Sequence, residues 1–181
     1  MVRNAAIGFT ATLLAFGGMH LSAQSLASHN SNAPVTFDAG RIEYQDRQDR
    51  VVLSGNVIID QAGLRLRAPR TQVNFTNDGK LDVRQIMATG GVTVTRGNES
   101  AQGDVAIYDL NRRIITMAGG VRLKRGGDTL NGGRLVIDLR TGVSSVDGSA
   151  SGSSSATGTG ATTGSNGRVS GSFSVPDRGE N

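Results

Sequence analysis

Three stretches of this 181-residue chain repeat one pattern, and that pattern leaves few folds open. The clearest copy is Ile114-Ile-Thr-Met-Ala-Gly-Gly-Val-Arg-Leu-Lys124. Ile115, Met117, Gly119, Val121 and Leu123 alternate there with Thr116, Ala118, Gly120, Arg122 and Lys124. Such alternation marks a strand with one buried and one wet face. The second copy runs from Val51 to Asp60, with Val51, Leu53, Val57 and Ile59 in phase around Gly55. The third runs from Gln85 to Thr95, with Ile86, Ala88, Gly90, Val92 and Val94 in phase.

The central Gly-Gly or Gly-Asn pair also suits a two-residue hairpin turn. Folding back at that point would put Arg122 and Lys124 on the face of Ile115 and Met117. A continuous strand keeps every copy two-sided, with the first glycine turned inward. The expectation is therefore one long strand bent at each glycine, where no side chain opposes a kink. The hairpin stays open as the alternative.

The spacing repeats as well. Tyr44, Tyr108 and Ile137 precede Gly55, Gly119 and Gly148 by the same 11 positions. Phe75 precedes Gly90 by 15, the same spacing enlarged at the Asn77-Asp-Gly-Lys80 turn. The intervening segments carry their own bend signals at Ala68-Pro-Arg70, Gln102-Gly103 and Asn131-Gly-Gly133. Four units, the last truncated, are thus expected to stack and to make one core between them. No segment after the N-terminus shows a 3.6-residue period. The fold class is all-β, an elongated antiparallel sheet of stacked, bent strands over residues 36–148.

Residues 1–27 read as a secretory signal peptide, with Arg3 at the start, an apolar run from Ala5 to Leu21, and Ala23 or Ala27 before the cut. An uncleaved anchor is the alternative, and the mature N-terminus would distinguish the two. Residues 149–181 are rich in Ser, Gly and Thr and are expected to be a disordered tail. A docking role for Val169 to Val175 is a secondary reading.

Chemistry for an enzyme is sparse. The only histidines are His20 and His29, in or beside the leader, and there is no cysteine. The commonest general base and the thiol are therefore missing from the repeats. Asp46 with Asp49, or Asp78 with Asp82, lacks the spacing of a Ca²⁺ loop, and turn chemistry explains these residues. No catalytic residue, metal or cofactor is expected. The formal charge of +4 comes with alternating Arg and Asp and no basic run, so a solvated surface is expected and no nucleic-acid partner.

Arg41-Ile-Glu-Tyr44, Val52-Leu-Ser-Gly-Asn-Val57, Ala106-Ile-Tyr-Asp109 and Ala118-Gly-Gly-Val-Arg-Leu-Lys124 occur in that order. In this the chain resembles the LptA/OstA family of periplasmic lipopolysaccharide-transport proteins. The resemblance implies the OstA-like β-jellyroll fold, a periplasmic location, and lipopolysaccharide or a related glycolipid carried with its acyl chains in an apolar groove. It implies partners of the same fold at the inner and outer membranes, and head-to-tail copies joined by edge strands.

The residues expected to line the groove are Val51, Leu53, Val57, Ile59, Leu64, Leu66, Phe75, Ile86, Val92, Val94, Met117, Val121 and Leu123. The other reading of each is a dry core. Arg65, Arg67 and Arg70 are expected to meet glycolipid phosphates at the groove mouth, since guanidinium matches phosphate geometry; plain surface positions are the alternative. A tethered member of the same pathway and a structural β-repeat module with a filled core are the competing functional readings.

Overall fold

The structure, a computed structural model, describes residues 29–77, 81–148 and 167–174. The expected signal peptide, residues 78–80 of the long turn and most of the tail lie outside the described residues. Ten strands form one antiparallel sheet: β1 Thr36–Asp38, β2 Arg41–Gln45, β3 Arg50–Gln61, β4 Leu64–Asn77, β5 Leu81–Arg96, β6 Glu99–Asp109, β7 Ile114–Arg125, β8 Asp128–Asp138, β9 Ser144–Asp147 and β10 Ser170–Ser172. Among the described residues the helical content is a 3-10 turn at Asp46–Gln48, and no helix is long and apolar enough to cross a membrane.

From β3 to β8 each strand pairs with the next, so the sheet is a meander. The three repeat copies are β3, β5 and β7, and each runs unbroken through its glycine pair. The hairpin alternative is thereby excluded. Their register explains the bend. Between Ala118 and Val121, β7 spends one more residue than either neighbour, since Ala118 pairs with Val105 and Arg134 while Val121 pairs with Gly132. The same one-residue bulge sits at Gly55-Asn56 in β3 and at Gly90-Gly91 in β5. Both residues of each pair have positive φ, for example +81° at Gly119 and +51° at Gly120. That region suits glycine, and asparagine is the usual exception, as at Asn56.

The glycines correct one expectation. Gly55 and Gly90 are exposed and Gly119 is only half-buried, so the first glycine does not point into the core. The extra residue instead lets the pair swing outward while the flanking apolar residues stay in phase.

The even-numbered strands turn the same corner by a different route. In β4 the inward side passes from Leu64, Leu66 and Ala68 to Thr71 and Phe75, a shift of phase across Pro69. In β6 it passes from Ala101 to Ala106 and Tyr108. Every strand is thus divided into two arms that meet at a common bend.

The arms close on one another. Ile86, Tyr108 and Ile115 of one arm border the same small void as Ile59, Leu64, Leu66 and Val94 of the other. The core cluster runs the length of the sheet on this one face. Full burial of each such side chain contributes about 1.5–3 kcal/mol, with no disulfide to assist.

The edges have a matching form. β1 and β2 flank the two arms of β3, separated by Ala39-Gly40, where Gly40 N–H donates to Gly55 O at 2.9 Å. The segment from Thr36 to Gln45 is therefore broken at the bend into two short strands. At the other edge β9 pairs with one arm of β8 and β10 with the other. Within the residues expected as a tail, Ser170–Ser172 is a strand of the sheet. It completes the fourth unit that the sequence presents as truncated.

Candidate functional site

The inner face between the arms is the candidate site. Twelve of the residues expected to line it are buried on that face: Leu53, Val57, Ile59, Leu64, Leu66, Phe75, Ile86, Val92, Val94, Met117, Val121 and Leu123. Val51 is partly buried and packs against the same cluster. Strand pairing holds them in rows, as in Met117 beside Ala106 and Leu135. The sequence list passed over Ile115, Tyr108, Leu135, Ile137 and Leu139, which are equally buried. For Leu135 and Ile137 the signal was alternation in β8, obscured by Gly132-Gly133, and for Ile115 it was the alternation of β7 itself.

The interior is closed between the buried apolar rows, while an open cleft of about 730 Å³ lies at the arm ends beside Val35, Gln61, Val83 and Leu110. Two voids border the apolar rows, each of about 10 Å³, the size of one water molecule. Acyl chains would therefore need the arms to part. Contact between the inner faces is largely apolar, as where Ile86, Tyr108 and Ile115 meet Ile59, Leu64, Leu66 and Val94.

One buried polar contact crosses between the arms, and an exposed one joins Arg125 to Ser144. The Tyr108 hydroxyl donates to Gln61 Oε1 at 2.8 Å. Gln61 is buried and donates through Nε2 to Ser31 O and Ala33 O at 3.0 and 2.9 Å. His29 Nε2 lies 3.1 Å from the same Oε1, so that nitrogen carries the proton and donates. Gln61 thus fastens the segment 29–35 across one end of the interior. Sequence reading assigned His29 to the leader region and gave Gln61 no role. Its position at the end of β3, in phase with Ile59, was the available signal.

His29 Nδ1 has no hydrogen-bond partner, and burial pushes the imidazole pKa below its ordinary 6.5. A group whose folded pKa is depressed favours the fold above its unfolded pKa and opposes it as pH falls. Melting temperature is therefore expected to drop between pH 7.5 and 5, with the loss setting in near 6.5. His29→Gln should flatten that part of the profile. An unchanged slope in the variant would show that another group carries it.

The arginines stand elsewhere than expected. Arg65, Arg67 and Arg70 are exposed on the outer face, out of phase with Leu64, Leu66 and Thr71. Arg65 is held by Asp60, with Nε to Oδ1 at 2.8 Å. Arg67 borders an open cleft of about 360 Å³ at the bend, beside Val57, Ala68 and Pro69. They do not ring the mouth of the interior. At the far end of the interior Glu99 is buried and ion-paired with Arg125 at 2.7 Å. No cluster of three or more metal-ligating side chains occurs among the described residues.

Comparison with known proteins bears directly on this arrangement. Residues 36–143 match the family model described as LptA/(LptD N-terminal domain) LPS transport protein. The chain belongs to this family. The match spans β1 to β8 and ends just before β9, covering the whole run of alternating bulged and plain full-length strands. Among solved structures, the chain is similar to LptH, described as the LptA homologous periplasmic component of the lipopolysaccharide transport device from Pseudomonas aeruginosa. The TM-score is 0.67 at 13% identity, over 81% of this chain and 99% of that one. At that identity the likeness establishes the fold, and the LptA-type jellyroll expected from the sequence is present. No curated protein matches the chain. The resemblance carried by Arg41–Tyr44, Val52–Val57, Ala106–Asp109 and Ala118–Lys124 is thus a true family relation.

Proposed function

We propose that this member of the LPS-transport family is a periplasmic, non-enzymatic carrier that holds lipopolysaccharide acyl chains between the two arms of its sheet. One observation carries the reading. The apolar inner face runs without interruption from the β1–β2 edge to the β9–β10 edge. A continuous lane of that kind suits a lipid handed along the sheet. Each buried methylene contributes about 0.8 kcal/mol, enough for a few acyl carbons to offset a partial opening of the arms.

The headgroup remains in water, where Arg67 at the bend cleft would meet its phosphates. The carrier joins its partners, transport components of the same fold at the two membranes or further copies, by strand addition at the edges. A leader over residues 1–27 would deliver the chain to the periplasm.

A closed interior also fits a structural module with a packed core, and one experiment separates the two. A photo-crosslinking residue is placed at Val121, which is buried on the inner face, and at Arg122, its exposed neighbour, in living cells. A lipopolysaccharide adduct is expected at Val121 and not at Arg122. Adducts at neither, repeated at Leu53 and Val92, would overturn the carrier reading in favour of the packed module.

A further inference from the structure

The full-length strands of the sheet alternate between two kinds. The bulged kind is β3, β5 and β7; the plain kind is β4, β6 and β8. β1–β2 takes the plain position beside β3. β9–β10 takes the bulged position beside β8, where Asp147 pairs with Arg134 as Ala118 does, and Ser170 pairs with Asn131 as Arg122 does. Val169 then corresponds to Val121. At the place of the glycine pair, Gly148 and Gly167 lie against each other. Residues 149–166, all Ser, Gly, Thr, Ala or Asn, enter the chain between them. The last bent strand is therefore split at its bend by an insertion.

We propose that β10 is a detachable half of the C-terminal docking edge, and that it is seated by the N-terminal edge of a second copy. This rests on the edge-joining reading above and adds a switch to it.

Three observations support the proposal. First, β10 is weakly held alone: it is three residues long, all exposed, and no side chain of it is buried. A short strand of that kind sits at the low-stability end of a fold. Second, the alternation continues across a junction. A bulged edge, β9–β10, next to the plain edge of another copy, β1–β2, reproduces the order within the sheet. The directions agree too, since β9–β10 runs antiparallel to β8 and β1–β2 runs antiparallel to β3. Third, the exposed large apolar side chains among the described residues all lie at these two edges: Phe37, Ile42 and Tyr44 at one, Val143, Val169 and Phe173 at the other. Phe37, Ile42 and Tyr44 pair with Ile59, Leu53 and Val51, so they stand on the inner side. Joining the edges would cover both sets and leave the inner lane continuous.

Binding of β1 from a second copy then fixes β10 between two strands, while β9 stays seated on its own. With β10 released, half of the edge is absent and the junction is weak.

The test uses the purified full chain and sedimentation velocity. The chain has no cysteine, so Ser170→Cys with Asn131→Cys gives a single disulfide that locks β10 onto β8 when oxidised. The reduced form of the same protein is its control. Self-association of the oxidised form is expected to be roughly tenfold tighter, because the ordering cost is met in advance. Gly171→Val should act oppositely, since an added Cβ would meet Leu130 Cδ2 and Thr129 O at 2.6 Å and unseat the strand. Phe37→Ser, at an exposed site, should weaken association in every form.

If locking loosens association, β10 is a plug on the edge, and the proposal is overturned. If locking and Gly171→Val both leave association unchanged, β10 has no part in it, and the proposal falls while edge-joining stands. If no form associates at any concentration, edge-joining between copies falls and takes the switch with it.

Discussion

Met117→Asp is expected to remove most of the protein's stability. Met117 is fully buried at the middle of the inner face, flanked by Ala106 and Leu135, which are equally buried. No cationic group reaches that row, so the carboxylate would be desolvated without a partner. The expected loss is about 4 kcal/mol or more, in the range reserved for buried unpaired charge. A typical domain has only about 5–15 kcal/mol in total. Urea unfolding followed by circular dichroism measures it. Thr116→Asp, one residue away and out of phase, should cost under about 1 kcal/mol. Equal losses at the two positions would mean that the arms do not close as described.

Gly119→Val should be the most damaging change at a bend. Its φ of +81° disfavours any side chain, and an added Cβ would lie 2.7 Å from Asp104 Cβ. Left-handed strain contributes about 1–2 kcal/mol and overpacking about 1–3 more. Gly120 offers the contrast. It has φ +51° and nothing within 4 Å of an added Cβ. Asn56 already occupies the matching place in β3 at the same φ. Gly120→Asn should therefore be nearly neutral while Gly119→Val lowers stability by about 3 kcal/mol. Thermal unfolding of the two variants decides it. A large loss at Gly120 would show that the bend needs both glycines.

Much of this architecture is written in local alternation. The period of two in β3, β5 and β7 was enough to identify long strands and the inner face from Leu53 to Leu123. Pro69 and the apolar phases on either side of it marked the bend of β4. What the sequence hid depends on pairing between strands. A bulge is a difference of one residue between neighbours, and a single strand does not display it, so the glycines were assigned inward. Ser170–Ser172 was invisible for the same reason: Ser-Gly-Ser has no strand propensity, and only its place beside β8 makes it one. Gln61 and His29 meet across 32 positions, and no local pattern links them. The arginines were read from the match of guanidinium to phosphate, with plain surface positions as the alternative, whereas strand phase turns them outward.

The alternation of bulged and plain strands restricts how such a sheet can change in length. Adding a single strand would set two of one kind side by side and put their bends out of step. Adding a bulged strand together with a plain one leaves every junction as it was. Neighbouring strands are about 4.8 Å apart, so the sheet lengthens in increments of roughly 9.6 Å. It is a ruler graduated in strand pairs, and relatives that must reach across different gaps can differ by whole graduations while presenting the same lane.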